Sequence, residues 1–170
     1  QYHMEYGYSC MGYEIAGGLG IKMAKDSGDV FVMVGDGSYL MMNSEIVTAV
    51  QENEKLIIIL INNHGFGSIN GLSLSLGSKG FGNQYRKREG SSFDYTGDKL
   101  PVDYAAHAKS MGIDSITVKT KQRLEKAVAQ ARDNKGSTLI EVLVDLNAKV
   151  PGYGAWWDVP VAEISDSDKV

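Results

Sequence analysis

Apolar runs of strand length alternate with amphipathic stretches of helical period along this chain. Val30–Val34 and Leu56–Ile61 are continuous and β-branched, a pattern typical of strands buried on both faces of a sheet. Further strands are predicted over Ile116–Val118 and Thr138–Val144. Helices are predicted over Met11–Lys25, Glu45–Glu52, Val102–Met111 and Leu124–Arg132. The alternation predicts a doubly wound α/β domain, with a mainly parallel sheet of about five or six strands and helices on both faces.

Two regions depart from this alternation. Gly65–Asp98 is rich in Gly, Ser and Asn, and so long a segment without clear periodicity predicts a functional lid or binding loop, with room for a short helix after Gly67. The tail from Pro151 carries Trp156 and Trp157, aromatic residues of the kind enriched at interfaces. We expect one binding domain over residues 1–150 and an arm of the same domain over 151–170.

Composition and charge exclude several classes of protein. The 170 residues are 43% hydrophobic and 22% charged, with a net charge of −4, so a globular domain is expected and a basic nucleic-acid-binding face is not. No apolar run has the roughly twenty residues needed to cross a bilayer. The single cysteine, Cys10, cannot form an intrachain disulfide, which fits a cytoplasmic protein.

The first strand ends in the motif Gly35-Asp36-Gly37-Ser38, which is followed by a helix. Ligands of open parallel sheets bind beyond the carboxyl ends of the strands. Gly35 and Gly37 allow the backbone to approach a ligand, and the amides of Gly37 and Ser38 can donate to a phosphate. Because the Asp36 carboxylate would repel a bare phosphate, we expect a magnesium ion between the two.

The second strand runs into Asn62-Asn63-His64-Gly65. The amide oxygen of Asn63 and the backbone carbonyl of Gly65 are hard oxygen ligands that suit magnesium. Neighbouring parallel strands would bring these residues close to Asp36. The predicted metal ligands are therefore Asp36, Asn63 and Gly65.

Together these two motifs resemble the signature of thiamine diphosphate (ThDP) enzymes. Asn63 follows Asp36 by 27 positions (63 − 36), the separation that the family signature requires. The stretch Gly7-Tyr8-Ser9-Cys10-Met11-Gly12 resembles the segment of acetolactate-synthase-like members that receives the aminopyrimidine ring. The resemblance implies that the Ser9 carbonyl and the Met11 amide bond to that ring, and that the Met11 side chain is the apolar wedge beneath the bent cofactor.

Within this family the chain resembles the branch that hydrolyses trihydroxycyclohexanedione in myo-inositol breakdown. Tyr2-His-Met-Glu-Tyr-Gly-Tyr-Ser-Cys-Met-Gly-Tyr-Glu14 and Gly152-Tyr-Gly-Ala-Trp-Trp-Asp158 carry the resemblance. It implies opening of a cyclic 1,2-dione by water to a deoxy-glucuronic acid. It also implies that the activating glutamate lies on a separate pyrimidine-binding domain of the same or a neighbouring subunit. We therefore expect the C-terminal domain of a homodimeric or homotetrameric enzyme, inactive alone and without a catalytic residue of its own.

Other interpretations stay open. A carboligase or decarboxylase of the acetolactate synthase or glyoxylate carboligase type would share every cofactor residue named above. A non-catalytic nucleotide-binding or regulatory α/β domain would use Asp36 only as a turn residue. His64 is either a substrate contact or a solvated turn residue. Arg86, Lys87 and Arg88 are either a solvated patch or contacts to an oxygen-rich substrate.

Overall fold

A computed structural model of the chain describes residues 1–148 except 6, 9, 26, 92 and 147. Its strands are β1 (Phe31–Gly35), β2 (Ile57–Asn62), β3 (Asp114–Val118) and β4 (Thr138–Leu143). Its helices are α1 (Tyr13–Met23), α2 (Asp36–Met41), α3 (Glu45–Gln51), α4 (Gly67–Ser75), α5 (Tyr104–Ser110) and α6 (Lys121–Asp133). Every predicted element is present within a few residues of its predicted ends.

The four strands form one parallel sheet in the order β1-β2-β4-β3. The α/β class and the parallel sheet are confirmed. The described residues form four strands, not the five or six predicted, because the four apolar runs of the sequence account for all of them. Parallel pairing places the carboxyl ends of all four strands at the same edge of the sheet.

Alternate residues of the strands face two separate apolar clusters, so helices pack on both faces. On one face Ile58 and Leu60 of β2 pack with residues of α1, α2, α3 and α5. On the other face Ile57 packs with Ala127 and Ala131 of α6. The exposed side chains of Phe31 (45%) and Met33 (65%) leave one face of β1 uncovered within the described residues.

The chain divides into two compact units. The first contains Gln1–Asn62 and Val102–Val144, and it holds the sheet with five of the helices. The second contains Asn63–Pro101, the segment expected to be a lid, and includes α4 at the place where a short helix was expected. None of the helices in the described part of the chain combines the length and apolarity needed to cross a bilayer. The predicted arm, with Trp156 and Trp157, lies outside the described residues.

Candidate functional site

The two motifs predicted to bind the cofactor follow neighbouring strands. Gly35, the last residue of β1, is paired with Ile61 of β2, and β2 ends one residue later at Asn62. Asp36 and Asn63 are the next residues along the chain after β1 and β2. The parallel register therefore brings the two strand ends together, as the sequence predicted.

Asp36 begins helix α2 directly after β1, with no intervening loop. Its side chain is buried, with none of its surface exposed. The helix is preceded by Gly35, which has no side chain with which to cap the first turn. The amides of Gly37 and Ser38 lie in that first turn, where backbone N–H groups have no partner within the helix. This first turn presents a buried carboxylate and backbone donors close together.

A buried aromatic network lies behind Asp36. The Tyr104 hydroxyl of α5 donates to Asp36 Oδ2 at 3.5 Å. The Tyr104 ring meets the ring of Tyr39 edge to face, with centroids 5.7 Å apart. The Tyr39 hydroxyl lies 3.0 Å from His107 Nδ1. Burial raises the pKa of Tyr39 to about 12, so this phenol stays protonated at neutral pH and can donate to the imidazole.

A second polar network fixes the end of β2. Glu141 on β4 is only 5% exposed, and its two oxygens accept hydrogen bonds from two other strands. Asn62 Nδ2 donates to Glu141 Oε1 at 2.7 Å, and Thr117 Oγ1 donates to Glu141 Oε2 at 2.8 Å. Glu141 thus holds the residue that immediately precedes Asn63.

Sequence reasoning assigned no role to Tyr104, Tyr39 or Glu141. Glu141 carries a visible signal, since it is the one acidic residue inside the apolar run Thr138–Val144. A charged residue in a strand buried on both faces must have hydrogen-bond partners, and it marks a polar network. The two tyrosines carry no comparable signal because their partners come from distant segments.

The turn that opens the second unit is held in an unusual backbone conformation. His64 has φ 62, and Gly65 has φ 144. A side chain at Gly65 would place Cβ 2.2 Å from the Asn83 carbonyl oxygen, so only glycine fits. In the antiparallel bridge between Gly65 and Gln84, the His64 carbonyl accepts from the Tyr85 amide at 2.8 Å and the Phe66 amide donates to the Asn83 carbonyl at 2.8 Å.

Asn63 lies over a glycine of the same unit. A Cβ at Gly67 would lie 2.5 Å from Asn63 Nδ2, so the first turn of α4 makes space for the Asn63 amide. Asn63 itself is half-buried. The Asn63 side chain therefore packs closely on the start of α4.

The segment predicted to receive the aminopyrimidine ring is organised around Glu5. The Glu5 carboxylate accepts from the amides of Tyr8 at 2.9 Å and Cys10 at 2.7 Å. Ser9 lies outside the described residues. Met11 is 41% exposed and, with Cys10, lines a cavity of about 870 Å³ along β1. Asp36 is not among the residues that line this cavity.

The three basic residues of the second unit have different surroundings. Arg86 is half-buried, donates to Gln84 Oε1 at 2.8 Å and to the Gly97 carbonyl at 3.1 Å, and lines a cavity of about 420 Å³. Lys87 is exposed and pairs through its backbone with Gly97 and Asp98. Arg88 lies over the Tyr95 ring, 4.7 Å from its centroid. Of the three, Arg86 alone lines this cavity.

The chemistry of these residues suits a magnesium–diphosphate group. No cluster of three or more His, Cys, Asp or Glu side chains able to hold a metal occurs among the residues that the structure describes. Carboxylate, amide and backbone-carbonyl oxygens such as those of Asp36, Asn63 and Gly65 are ligands of the kind that Mg²⁺ takes, and Mg²⁺ uses few protein ligands and shares phosphate oxygens.

Comparisons with known proteins identify the family of this chain. The profile of the family described as "Thiamine pyrophosphate enzyme, C-terminal TPP binding domain" matches residues 1–142. A protein from Geobacillus thermodenitrificans (strain NG80-2) named 3D-(3,5/4)-trihydroxycyclohexane-1,2-dione hydrolase is 46% identical over 99% of this chain. A second protein of that name, from Bacillus thuringiensis (strain Al Hakam), is 44% identical over 99% of this chain. The chain spans 26% of the length of each of these curated relatives.

Solved structures share the fold. Benzoylformate decarboxylase from Polynucleobacter necessarius superposes with a TM-score of 0.68 and 21% identity, over 84% of this chain and 25% of that one. The thiamine diphosphate-dependent 4-hydroxybenzoylformate decarboxylase of Rhodococcus jostii RHA1 gives 0.63 and 24%, over 79% and 23%. The profile match over residues 1–142 decides the family, and the chain belongs to the thiamine pyrophosphate enzymes as their C-terminal TPP-binding domain.

Proposed function

We propose that this chain forms the diphosphate- and magnesium-binding part of an enzyme that hydrolyses a C–C bond of trihydroxycyclohexane-1,2-dione. The observation that carries the substrate class is the 46% identity, over 99% of the chain, to a hydrolase of that name. Because the chain spans 26% of that relative, the activity is proposed for the longer protein that contains this domain. The chain contributes cofactor binding to it.

Asp36, Asn63 and the Gly65 carbonyl would hold Mg²⁺, and the amides of Gly37 and Ser38 would bind the diphosphate. The parallel pairing of β1 with β2 supports this assignment, since Asp36 and Asn63 follow the two paired strands. Gly35 at the end of β1 allows close approach of the cofactor.

The rest of the cofactor would bind outside this turn. The Ser9 carbonyl and the Met11 amide would orient the aminopyrimidine ring, with the Met11 side chain as the wedge beneath it. When bound, ThDP supplies a nucleophilic carbon and an electron sink for the bond that breaks. The activating glutamate would come from a pyrimidine-binding domain of the same or a neighbouring subunit, in a cytoplasmic homodimer or homotetramer.

Residues of the second unit would contact the substrate. Arg86 lines a cavity together with polar side chains, and its guanidinium can donate to the oxygens of a polyhydroxylated ring. His64, next to the proposed ligands, would contact the substrate or the diphosphate. Lys87 and Arg88 would contribute positive charge at the same unit.

The two decarboxylase structures are below 25% identity and speak for the fold alone, so they do not favour a 2-keto-acid reaction. A purely regulatory nucleotide-binding domain is disfavoured by the match to a TPP-binding family. The hydrolase proposal is therefore placed ahead of both alternatives.

A substrate comparison tests this proposal. The full-length gene product, with ThDP and Mg²⁺, is incubated with trihydroxycyclohexane-1,2-dione and, separately, with pyruvate and glyoxylate. We expect NMR signals of a new carboxylate and a new aldehyde in the reaction with the dione and not in the reactions with pyruvate or glyoxylate. The Asp36→Ala variant should not convert the dione. Release of CO₂ from a 2-keto acid, with the dione unchanged, would replace the hydrolase by the carboligase.

A further inference from the structure

The proposed metal ligand Asp36 is held from behind by a residue on another helix. Asp36 begins α2, and Tyr104 begins α5. Both side chains are buried, with exposures of 0% and 1%. The Tyr104 hydroxyl donates to Asp36 Oδ2 at 3.5 Å. Two distant segments of the chain thus meet at the carboxylate that the proposed function assigns to magnesium.

We propose that Tyr104 is a positioning residue for the magnesium site, whose phenol fixes the orientation of the Asp36 carboxylate. The inference rests on the proposed function, in which Asp36 binds Mg²⁺. Carboxylates that ligate metals are commonly hydrogen-bonded by a further shell of residues, which fixes their rotamer and tunes the affinity for the ion. A bond to Oδ2 favours one rotamer of the aspartate before the ion arrives, so less ordering is needed on binding.

Tyr104 is itself held rigidly, as this role requires. Its ring packs edge to face on Tyr39, with centroids 5.7 Å apart and planes at 79°. The hydroxyl of Tyr39 lies 3.0 Å from His107 Nδ1, which ties the second ring to α5. Tyr39 lies on α2 and Tyr104 on α5, so the contact between their rings joins the helix that begins with Asp36 to the helix that begins with Tyr104. The ring packing on Tyr39, which Tyr39→Phe would keep, limits the movement of the Tyr104 hydroxyl away from the carboxylate.

The chain offers a matched pair of variants that separates positioning from simple core packing. Tyr104→Phe removes the hydroxyl that faces Asp36 and keeps the ring. Tyr39→Phe removes a neighbouring buried hydroxyl that faces His107. Both changes delete one buried oxygen in the same cluster, so both can lower stability. Only Tyr104→Phe should alter the affinity for magnesium.

The test is a thermal melt of the full-length gene product at saturating ThDP over a range of MgCl₂ concentrations. The measured quantity is the Mg²⁺ concentration at half-maximal stabilisation. We expect Tyr104→Phe to raise it about tenfold, the lower end of the effect of losing such a supporting contact. Tyr39→Phe should leave it within about twofold of the wild-type value, whatever its melting temperature without ligands. Asp36→Ala should abolish the Mg²⁺ dependence.

The possible results of this test distinguish a positioning role of Tyr104 from a role in core packing alone. An unchanged Mg²⁺ midpoint in Tyr104→Phe, even with a lower melting temperature, would overturn the positioning role and leave Tyr104 as a core residue. If that variant melts too early for the assay, Mn²⁺ binding followed in the cold by electron paramagnetic resonance measures the same affinity. If Mg²⁺ did not stabilise the wild-type protein, the proposed metal site itself would be refuted. It would also be refuted if Asp36→Ala did not change the stabilisation by Mg²⁺. Failure of the metal site is detected with the wild type and Asp36→Ala alone, so it is distinguished from failure of the positioning role of Tyr104.

Discussion

Replacement of Glu141 tests whether the polar network across the sheet stabilises the fold. This carboxylate lies on an inner strand and is 5% exposed. It accepts from Asn62 at 2.7 Å and from Thr117 at 2.8 Å. Hydrogen bonds to a charged group contribute about 1.5–3 kcal/mol each, so loss of both costs about 3–6 kcal/mol. Removing a buried charge recovers part of this, and we expect Glu141→Leu to lower the free energy of unfolding by about 2–4 kcal/mol.

Two further variants divide this loss between its parts. Glu141→Gln keeps an amide oxygen for Asn62 and can donate its own N–H to the Thr117 hydroxyl, so we expect a loss of only about 1–2 kcal/mol. Thr117→Val removes one donor and nearly preserves the shape of the side chain. In the Glu141→Leu background, Thr117→Val should cost less than it does alone, because the bond it would break is already gone.

The assay is urea unfolding followed by circular dichroism, with comparison of midpoints at constant slope. The expected order of stability is wild type, then Glu141→Gln, then Glu141→Leu. If Glu141→Leu were as stable as the wild type or more stable, the cost of burying the carboxylate would exceed what its two hydrogen bonds return. The network would then have to be explained by positioning of Asn62 rather than by stability.

Four other substitutions test the packing, the burial and the backbone conformation. A Cβ at Gly18 would lie 2.3 Å from Val32 Cγ2, so Gly18→Ala should lower the free energy of unfolding by about 1–3 kcal/mol. A Cβ at Gly20 on the same helix meets nothing within 4 Å, so Gly20→Ala should raise the free energy of unfolding by up to about 1 kcal/mol. Thermal melts of the two variants check both values. Burial raises the pKa of Tyr39 from 10.0 to about 12, so its contribution to stability is complete below pH 10 and is lost as pH rises toward 12. Tyr39→Phe should therefore remove this part of the loss of stability at alkaline pH. An unchanged dependence of stability on alkaline pH would contradict this prediction. Gly65→Ala, at φ 144, should lower proteolytic resistance within the second unit, and wild-type resistance would show that the turn tolerates a side chain.

The elements and the paired strand ends could be predicted because their signals are local. Continuous apolar runs such as Leu56–Ile61 specify buried strands, and parallel strands place the residues after their carboxyl ends at one edge of the sheet. The positions of Asp36 and Asn63 after these strands could then be predicted without knowing how the side chains pack. Helix α2 was less visible, because glycines and a serine directly after a strand are more typical of a loop.

The supporting networks could not be predicted from local pattern. Tyr104 and Asp36 are 68 positions apart, and Glu141 and Asn62 are 79 apart. Such contacts depend on which helices and strands become neighbours and on the side-chain rotamers at the contact. The sequence shows only that a buried Glu141 needs partners, and it does not identify Asn62 and Thr117 as those partners.

The most direct test of the central claim is a double-mutant cycle on the proposed shared ion. Binding of ThDP to the full-length protein is measured by calorimetry, with and without Mg²⁺, for Asp36→Ala, Asn63→Ala and the double variant. We predict that each single change removes nearly all of the Mg²⁺-dependent affinity and that the double variant is little worse than either. Small and additive losses would show that Asp36 and Asn63 do not hold one magnesium ion.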